Sequence, residues 1–531
     1  MVADATRKVV LAGGRVLAMD GAPPGPRDVA ISAGRVSAVG PIPPGSEPAG
    51  ARRIDCRGWT LLPGLCDAHL HFFAYASAFD RPVVDPYRVR SVAELLDGLS
   101  RIVAASPAAR VIEVGWYDER QMAEGRHPSR RDLDAVEAER PLRLKHRNGH
   151  VDVLNSTALA RLLELRRTLR DDSGWIDLDG DGRPTGLLVG CRRLLRRLFP
   201  ASPPSDEACR AAAERLLGLG ITAFVDASPG NGVRAWERFG RLQSSGVIPQ
   251  RVTMLVGTGS AGRGSWPPPD TTPPGARLRA GPVKVPLGPG GFEWRHLDAL
   301  RGLVDGEAVR RLGAAFHALE PEDVWLALEV LGASGRDLPV TRLEHLARVP
   351  PPLAERLGAL GAVASTQPAF VYWNGAGYLR TLPPREETWL YPLRSLLDAG
   401  IPLAFGSDAP VVPPDPWVGI AAAVGRRDRS GTPVGGEQAI GRRAAIEAYT
   451  TGARAASGWG ALAGRIVPGC EADLVVVDRD LETCSEGELV SAKVLATWTG
   501  GELSWADPLF AARCRQAVGA RPESRQRDAG G

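Results

Sequence analysis

A chain of 531 residues exceeds one ordinary domain and predicts a large domain with a satellite, or two to three domains. Its 44% hydrophobic and 24% charged residues are those of a globular protein, and a formal net charge of +4 over this length is too weak to argue for nucleic acid. No apolar stretch approaches the ~20 residues that span a bilayer, and the opening MVADATRKVVLAGGRVLAMD has no long apolar segment after a basic one, so we expect a cytoplasmic protein without a membrane anchor.

Residues 7–62 read as short strands joined by glycine-containing turns: KVVLAGGRVLAMD, DVAISAGRVSAVG and RRIDCRGWTLLPG. The same texture returns near the other end in GRIVPGCEADLVVVDRD and KVLATWTGGEL. Two separate modules of this size would each have very little core. One small β-sandwich domain, formed by 1–62 and 463–514 together, is the economical reading. Between them, from 63 to 462, amphipathic stretches such as SVAELLDGLSRIVAA, DEACRAAAERLLGLG, PEDVWLALEVLGASG and PPLAERLGALG alternate with the apolar runs ITAFVDA, VTRLEH, AVASTQPAF and IPLAFGSDAP. This alternation predicts an α/β fold with a parallel sheet, and a (β/α)8 TIM barrel fits the size, with an insertion around 85–200. Residues 260–280, with Pro and Gly clusters, read as a surface loop, and 515–531 as a flexible tail.

Seven cysteines, an odd number with no CxxC pair, argue against a disulfide framework, and Cys66 falls in an apolar run as a core residue would. Lysine is scarce: Lys8, Lys145, Lys284 and Lys493 stand in a chain whose cations are otherwise Arg. Only Lys offers an amine that can be deprotonated and modified, so each of the four is a candidate for chemistry that Arg could not perform.

One apolar run ends in Asp67-Ala68-His69-Leu70-His71. Residues two apart on a strand point to one face. His69 and His71 therefore present both imidazoles the same way at a strand's C-terminal end, where barrels build their sites. Neutral imidazole is a common zinc ligand, and an oriented pair begins a metal site. Two chance histidines in a loop is the competing reading, made weaker by there being only eight in the whole chain. Lys284 (GPVKVPLG), His317 (AAFHALEPED), His345 (TRLEHLA) and Asp408 (PLAFGSDAPV) follow in order, each at the end of a strand-like run. Singly, each has an ordinary explanation, such as a satisfied core His or an Asp that caps a helix.

With these residues in this order the sequence resembles the amidohydrolase superfamily, and within it the branch that includes N-substituted formamide deformylases and related metal-dependent hydrolases. The resemblance runs from about residue 7 to 505 and takes in GWYDERQM, RNGHVDVLNSTAL, GRPTGLL, GITAFVDA, STQPAFVYW, YPLRSLLDAGIPLAFGSDAPV and GCEADLVVVDRD. It implies that His69 and His71 bind a first, more buried metal with Asp408. It implies that Lys284, if carboxylated on its amine, bridges two metals, and that His317 and His345 hold the second. Zn²⁺ is the implied cofactor, as one or two ions. Asp408 would also take the proton of the attacking water. His150 would face the substrate, with a structural hydrogen-bonding role as the equal alternative. The chain departs from the family's pattern in KVPLGPGG after Lys284 and in Ala318-Leu319-Glu320-Pro321 after His317.

Trp116, Tyr117, Trp175, Tyr372 and Trp373 are candidates for an apolar substrate wall, against the commoner fate of such rings as core. Glu344 and Asp67 are candidates to orient ligands from behind. The activity implied is hydrolysis of a non-peptide carbon–nitrogen bond, of amide or formamide type, in a small-molecule substrate. A deaminase, isomerase or decarboxylase on the same scaffold is the alternative, as is a non-catalytic binding descendant. Retention of all six ligand-type residues weighs against the last. Barrels of this kind are commonly homodimers, though no segment here marks an interface.

Overall fold

The computed structural model describes residues 8–47, 50–170, 174–200, 202–261, 276–288, 291–334, 338–460 and 463–519. The chain divides into two units: Met1–His71, Ala213–Asp408 and Val412–Gly531 form the first, and Phe72–Ala212 with Ala409–Val411 the second.

The first unit is organised around eight strands: β1 (Leu65–Leu70), β2 (Ile221–Asp226), β3 (Arg251–Gly257), β4 (Leu278–Pro286), β5 (Ala314–Ala318), β6 (Thr341–His345), β7 (Val363–Thr366) and β8 (Leu403–Phe405). They pair in parallel and in sequence order. Every residue of β1, β2 and β3 is buried, as parallel strands covered on both faces require. Helices such as Pro321–Ser334 and Pro351–Gly358 connect successive strands. The seam between β8 and β1 is drawn together just past β8. Asp408 N donates to His69 O at 2.6 Å and Ser407 N to Asp67 Oδ1 at 3.0 Å. The approach demands glycine at 406, where a Cβ would lie 2.5 Å from His69 N. The result is a (β/α)8 barrel. Small residues, among them Cys66, Ala68, Ala223 and Ala404, share a buried cluster with Ala453 and Ala456.

The terminal segments supply one eight-stranded sheet. Its order is Glu502–Ala506, Val494–Thr499, Leu474–Val477, Thr60–Pro63, Lys8–Val16, Gly25–Ser32 and Arg35–Gly40, with Arg52–Asp55 also beside Lys8–Val16. Thr60–Pro63 runs antiparallel to Leu474–Val477, which ties the two ends of the chain together. An irregularity between Leu11 and Gly14 divides Lys8–Val16, whose first half pairs with Arg52–Asp55 and second half with Thr60–Pro63. Val36 and Trp498, from distant strands, meet in one apolar cluster with Leu61 and Leu474. A buried ion pair joins sheet to barrel: Arg454 donates to Asp473 at 3.0 Å and to Thr222 Oγ1 at 2.6 Å. The helix Pro508–Gly519 extends into the stretch expected to be a tail from 515, because Phe510 and Cys514 anchor it in the same cluster. Residues 520–531, and 262–275 of the expected loop, lie outside the described residues.

The second unit carries a five-stranded sheet in the order Trp175–Leu178, Pro184–Val189, Val151–Leu154, Leu142–His146, Ile112–Tyr117. Ser91 Oγ accepts from Glu94 N and so caps the helix Val92–Ala104. That helix buries Leu95 and Leu99 against Val114, Leu144 and Val153. The unit is wider than the insertion expected at 85–200, because the chain leaves the barrel directly after His71 and returns at Ala213. All seven cysteines are free thiols. Among the described residues no helix is long and apolar enough to cross a membrane.

Candidate metal centre

The C-terminal ends of five barrel strands bring the six ligand-type residues together. His69 lies near the end of β1 and His71 one residue beyond it. Their Nε2 atoms stand 3.5 and 3.0 Å from Asp408 Oδ1, just past β8. These three residues offer ligand atoms within 4.8 Å of one another. His345, closing β6, places its ring 4.6 Å from that of His69 and 4.3 Å from that of His317 on β5. His345 Nε2 is 2.8 Å from His317 Nδ1. Lys284 on β4 is buried and lies within electrostatic reach of Glu344 and Asp408. His345, Leu346 and Asp408 have φ of 74°, 50° and 59°, a left-handed backbone that is costly for such residues and concentrates at functional sites.

A ring of buried groups sets imidazole orientation. His69 Nδ1–H donates to Glu344 Oε2 at 2.6 Å. Arg342 grips Glu344 in turn, at 2.7 and 3.1 Å, and also donates to Ala68 O and Ser365 Oγ. His345 Nδ1–H donates to Gln367 Oε1 at 3.0 Å. His71 Nδ1 and Ser228 Oγ are 3.2 Å apart. With Nδ1 donating, the Nε2 lone pair of His69 is left for the centre, and that of His345 faces His317 Nδ1. Asp67 Oδ1 accepts from His69 N and Ser407 N, fixing the seam from behind.

Electrostatics follow from burial and neighbours. Burial pushes His69 down to about 4 and His345 down to about 3, so both imidazoles are neutral at pH 7. Burial also lowers Lys284 to about 8 and raises Asp67 to about 7. Asp408 lies below the usual carboxylate range: burial would raise it, but the hydrogen bond from His71 and the nearby His69 and His345 outweigh that. Glu344 is likewise low, with Arg342 and His69 overriding its burial. Among the described residues His69 Nε2 and Lys284 Nζ are buried without a hydrogen-bond partner, and Asp408 Oδ1 faces only the two imidazole Nε2 atoms. Such atoms are rare and cost about 1–3 kcal/mol each. Neutral imidazoles and an ionised carboxylate converging on one point are a donor set that fits a zinc-class cation.

The remaining candidates fall elsewhere. His150 is exposed in the second unit, its Nδ1 3.5 Å from an Arg192 guanidinium nitrogen. Trp116 is half-buried in the same unit. Tyr372 belongs to the first unit, on the helix Ala369–Thr381, with its ring 5.0 Å from Trp373. Tyr117 is core rather than wall: it is 1% exposed, packs in the apolar cluster of the second unit and hydrogen-bonds His127 through its hydroxyl. Trp175 is 55% exposed.

Sequence reasoning missed Arg342, Gln367 and Ser228. It also missed a group in the second unit, where His146 Nε2 lies 2.8 Å from Glu119 Oε2 and 3.5 Å from Asp118 Oδ1. Asn148 N donates to His146 Nδ1 at 3.2 Å. When the ring is neutral, Nε2 therefore carries the proton toward the carboxylates, which makes this an acid–histidine hydrogen-bond network rather than a set of metal ligands.

Barrel and centre together define a metal-dependent hydrolase. The sequence profile of the Amidohydrolase family matches residues 52–504. The chain belongs to this family and is an amidohydrolase-type enzyme. It is 25% identical over 489 residues to N-substituted formamide deformylase of Arthrobacter pascens, across 86% of this chain and 90% of that protein. It is also 25% identical over 495 residues to the putative amidohydrolase YtcJ of Bacillus subtilis (strain 168), across 85% of this chain and 90% of that protein. Among solved structures, an uncharacterized metal-dependent hydrolase from Pyrococcus horikoshii OT3 superposes with a TM-score of 0.66 at 21% identity, covering 90% of this chain and 99% of that one. Atrazine chlorohydrolase TrzN from Arthrobacter aurescens TC1, complexed with zinc, shares the fold with a TM-score of 0.53 at 16% identity, covering 96% of this chain and 100% of that one.

Proposed function

We propose that the enzyme hydrolyses a non-peptide carbon–nitrogen bond of an amide or formamide. In this reading His69, His71 and Asp408 hold a zinc-class cation, and Lys284, His317 and His345 complete a place for a second. The observation that carries the reading is the convergence of neutral imidazoles and an ionised carboxylate on one point, with His69 Nε2 left without a hydrogen-bond partner. The likeness to a protein named N-substituted formamide deformylase supports the choice of bond.

A cation held by these residues would supply a Lewis acid for the substrate carbonyl and would lower the pKa of a water from 15.7 to about 7. Asp408, ionised at neutral pH, accepts the water's proton at its carboxylate and returns it to the leaving nitrogen. Glu344 keeps the His69 ring in the orientation that frees Nε2, and Gln367 turns His345 Nε2 toward His317. Lys284 serves as an anionic ligand only once carboxylated, a modification open to an amine and closed to Arg. Tyr372 and Trp373, just past β7, supply an apolar wall. The free thiols suit a reducing, cytoplasmic setting.

The test is product analysis on N-substituted formamides and simple amides. Formate or another carboxylic acid together with a free amine is the expected pair. Release of ammonia from an amine substrate, with no acid formed from any amide, would make the enzyme a deaminase.

A further inference from the structure

Gly288 and Glu320, one residue from each departure from the family pattern, line one cavity of the first unit, about 460 Å³ in volume. One wall comes from the segment after Lys284. Leu287 N donates to His317 O at 3.2 Å, and Phe292 N donates to Pro286 O at 2.8 Å. Gly288 is at φ +80°, and a Cβ there would sit 2.9 Å from Asp323 Oδ1. The other wall comes from the segment after His317. Asp323 accepts from Leu319 N and Glu320 N, both at 3.1 Å, which fixes the start of the helix Pro321–Ser334. Gly288 lies four residues past Lys284 and Glu320 three past His317. At ~3.3 Å per extended residue the cavity starts roughly 10–13 Å of chain from those two groups, on the barrel face that carries the centre.

The lining is chemically one-sided. Phe292, Trp294 and Leu326 give an apolar floor, with the Trp294 indole 48% exposed. Glu293, Glu320, Glu322 and Asp323 surround it. Arg295, also in the lining, is 3.2 Å from Glu293, and Arg348 is 3.1 Å from Glu320. The four carboxylates therefore keep an excess negative charge. Aromatic faces and carboxylates around an apolar hollow suit a protonated amine on a hydrocarbon body, because the cation gains from both while the hydrocarbon leaves water.

We propose that this cavity binds the remote end of the substrate, a protonated amine carried on an apolar body and separated by a short spacer from the bond to be cleaved. The proposal rests on the amide or formamide reading for its role in catalysis, but not for the binding itself. Cyclohexylammonium is the probe and cyclohexanol its neutral counterpart, each titrated calorimetrically into the full-length enzyme. The native enzyme should bind the ammonium at least tenfold more tightly than the alcohol. Glu322→Gln, on an exposed rim position, should weaken the ammonium about tenfold, and Leu326→Trp, which fills the hollow, should abolish binding. If Leu326→Trp does not fold, Glu322→Gln alone decides. Equal affinity for alcohol and ammonium, or binding unchanged by Glu322→Gln, overturns the proposal. Ammonium binding with no amide hydrolysis would remove the functional reading and leave the site standing; hydrolysis without ammonium binding would do the reverse.

Discussion

Glu344 steers His69: the imidazole Nδ1–H donates to Glu344 Oε2 at 2.6 Å, and neither side chain has any solvent exposure. The carboxylate in turn is held by Arg342, so that one buried chain of three residues decides where His69 Nε2 points. Removing the charge while keeping the shape, in Glu344→Gln, has two separable consequences. Metal affinity falls about 10- to 100-fold through loss of the anchoring carboxylate. Stability falls by about 3–5 kcal/mol, because Arg342 becomes an uncompensated buried charge. Chelator competition reads the first and denaturant unfolding the second.

Asp408 is proposed both to hold the cation and to move the proton. Asp408→Asn should lower kcat by about 10²- to 10⁴-fold, the usual worth of a general base, with loss of metal contributing further. Steady-state kinetics beside metal content on the same preparation separates the two effects. Unaltered kcat would remove Asp408 from the chemistry.

Lys284 is buried among carboxylates and imidazoles with its amine unpartnered among the described residues. Supplying carbon-13-labelled bicarbonate should give a carbamate carbon resonance that is absent from Lys284→Arg. The same signal in both proteins would assign it to another amine.

Asp473 bridges barrel and terminal sheet, and its acidity gives a signed pH prediction. Burial alone would raise its pKa, but Arg454 and Arg251 bring it below the usual value. A depressed folded pKa means that the stabilisation is present above the unfolded value near 4 and is lost as pH falls through the folded one. Asp473→Asn should therefore destabilise strongly at neutral pH, by about 3–5 kcal/mol, and by progressively less in acid. Equal loss at pH 7 and about pH 3 would contradict this.

His146 gives the opposite sign. Its burial would lower the pKa, but Asp118 and Glu119 raise it. That stabilisation is complete below the unfolded value near 6.5 and is lost as pH rises through the folded value. The midpoint difference between the native protein and His146→Gln should shrink on going from about pH 6 to about pH 9. A constant difference would place the effect in packing alone.

The barrel and the His-x-His pair were legible because they depend on local pattern. Apolar runs alternate with helical ones, and residues 69 and 71 share a strand face. Arg342 was not legible, since an Arg beside Glu344 reads as an ordinary strand-end charge. Only the neighbouring strands, with Ala68 O and Ser365 Oγ, make it a buried brace. The pairing of Tyr117 with His146 comes from parallel strands whose register no local pattern announces. It decided between the two readings of Tyr117, wall or core, in favour of core. The width of the inserted unit escaped for a similar reason: the exit after His71 carries no turn signal in HLHFFAYA, where the chain passes straight into the helix Phe72–Ala76.

The central claim is that His69 and His71 hold a cation on which hydrolysis depends. Elemental analysis of the enzyme purified without chelators, beside His69→Ala/His71→Ala, tests it most directly when both proteins are also assayed on a formamide. One or two zinc-class ions per chain are expected in the native enzyme, with at least one ion and nearly all activity lost in the variant. A native enzyme that is active without a bound ion, or a variant that keeps the full metal content and turnover, would contradict it.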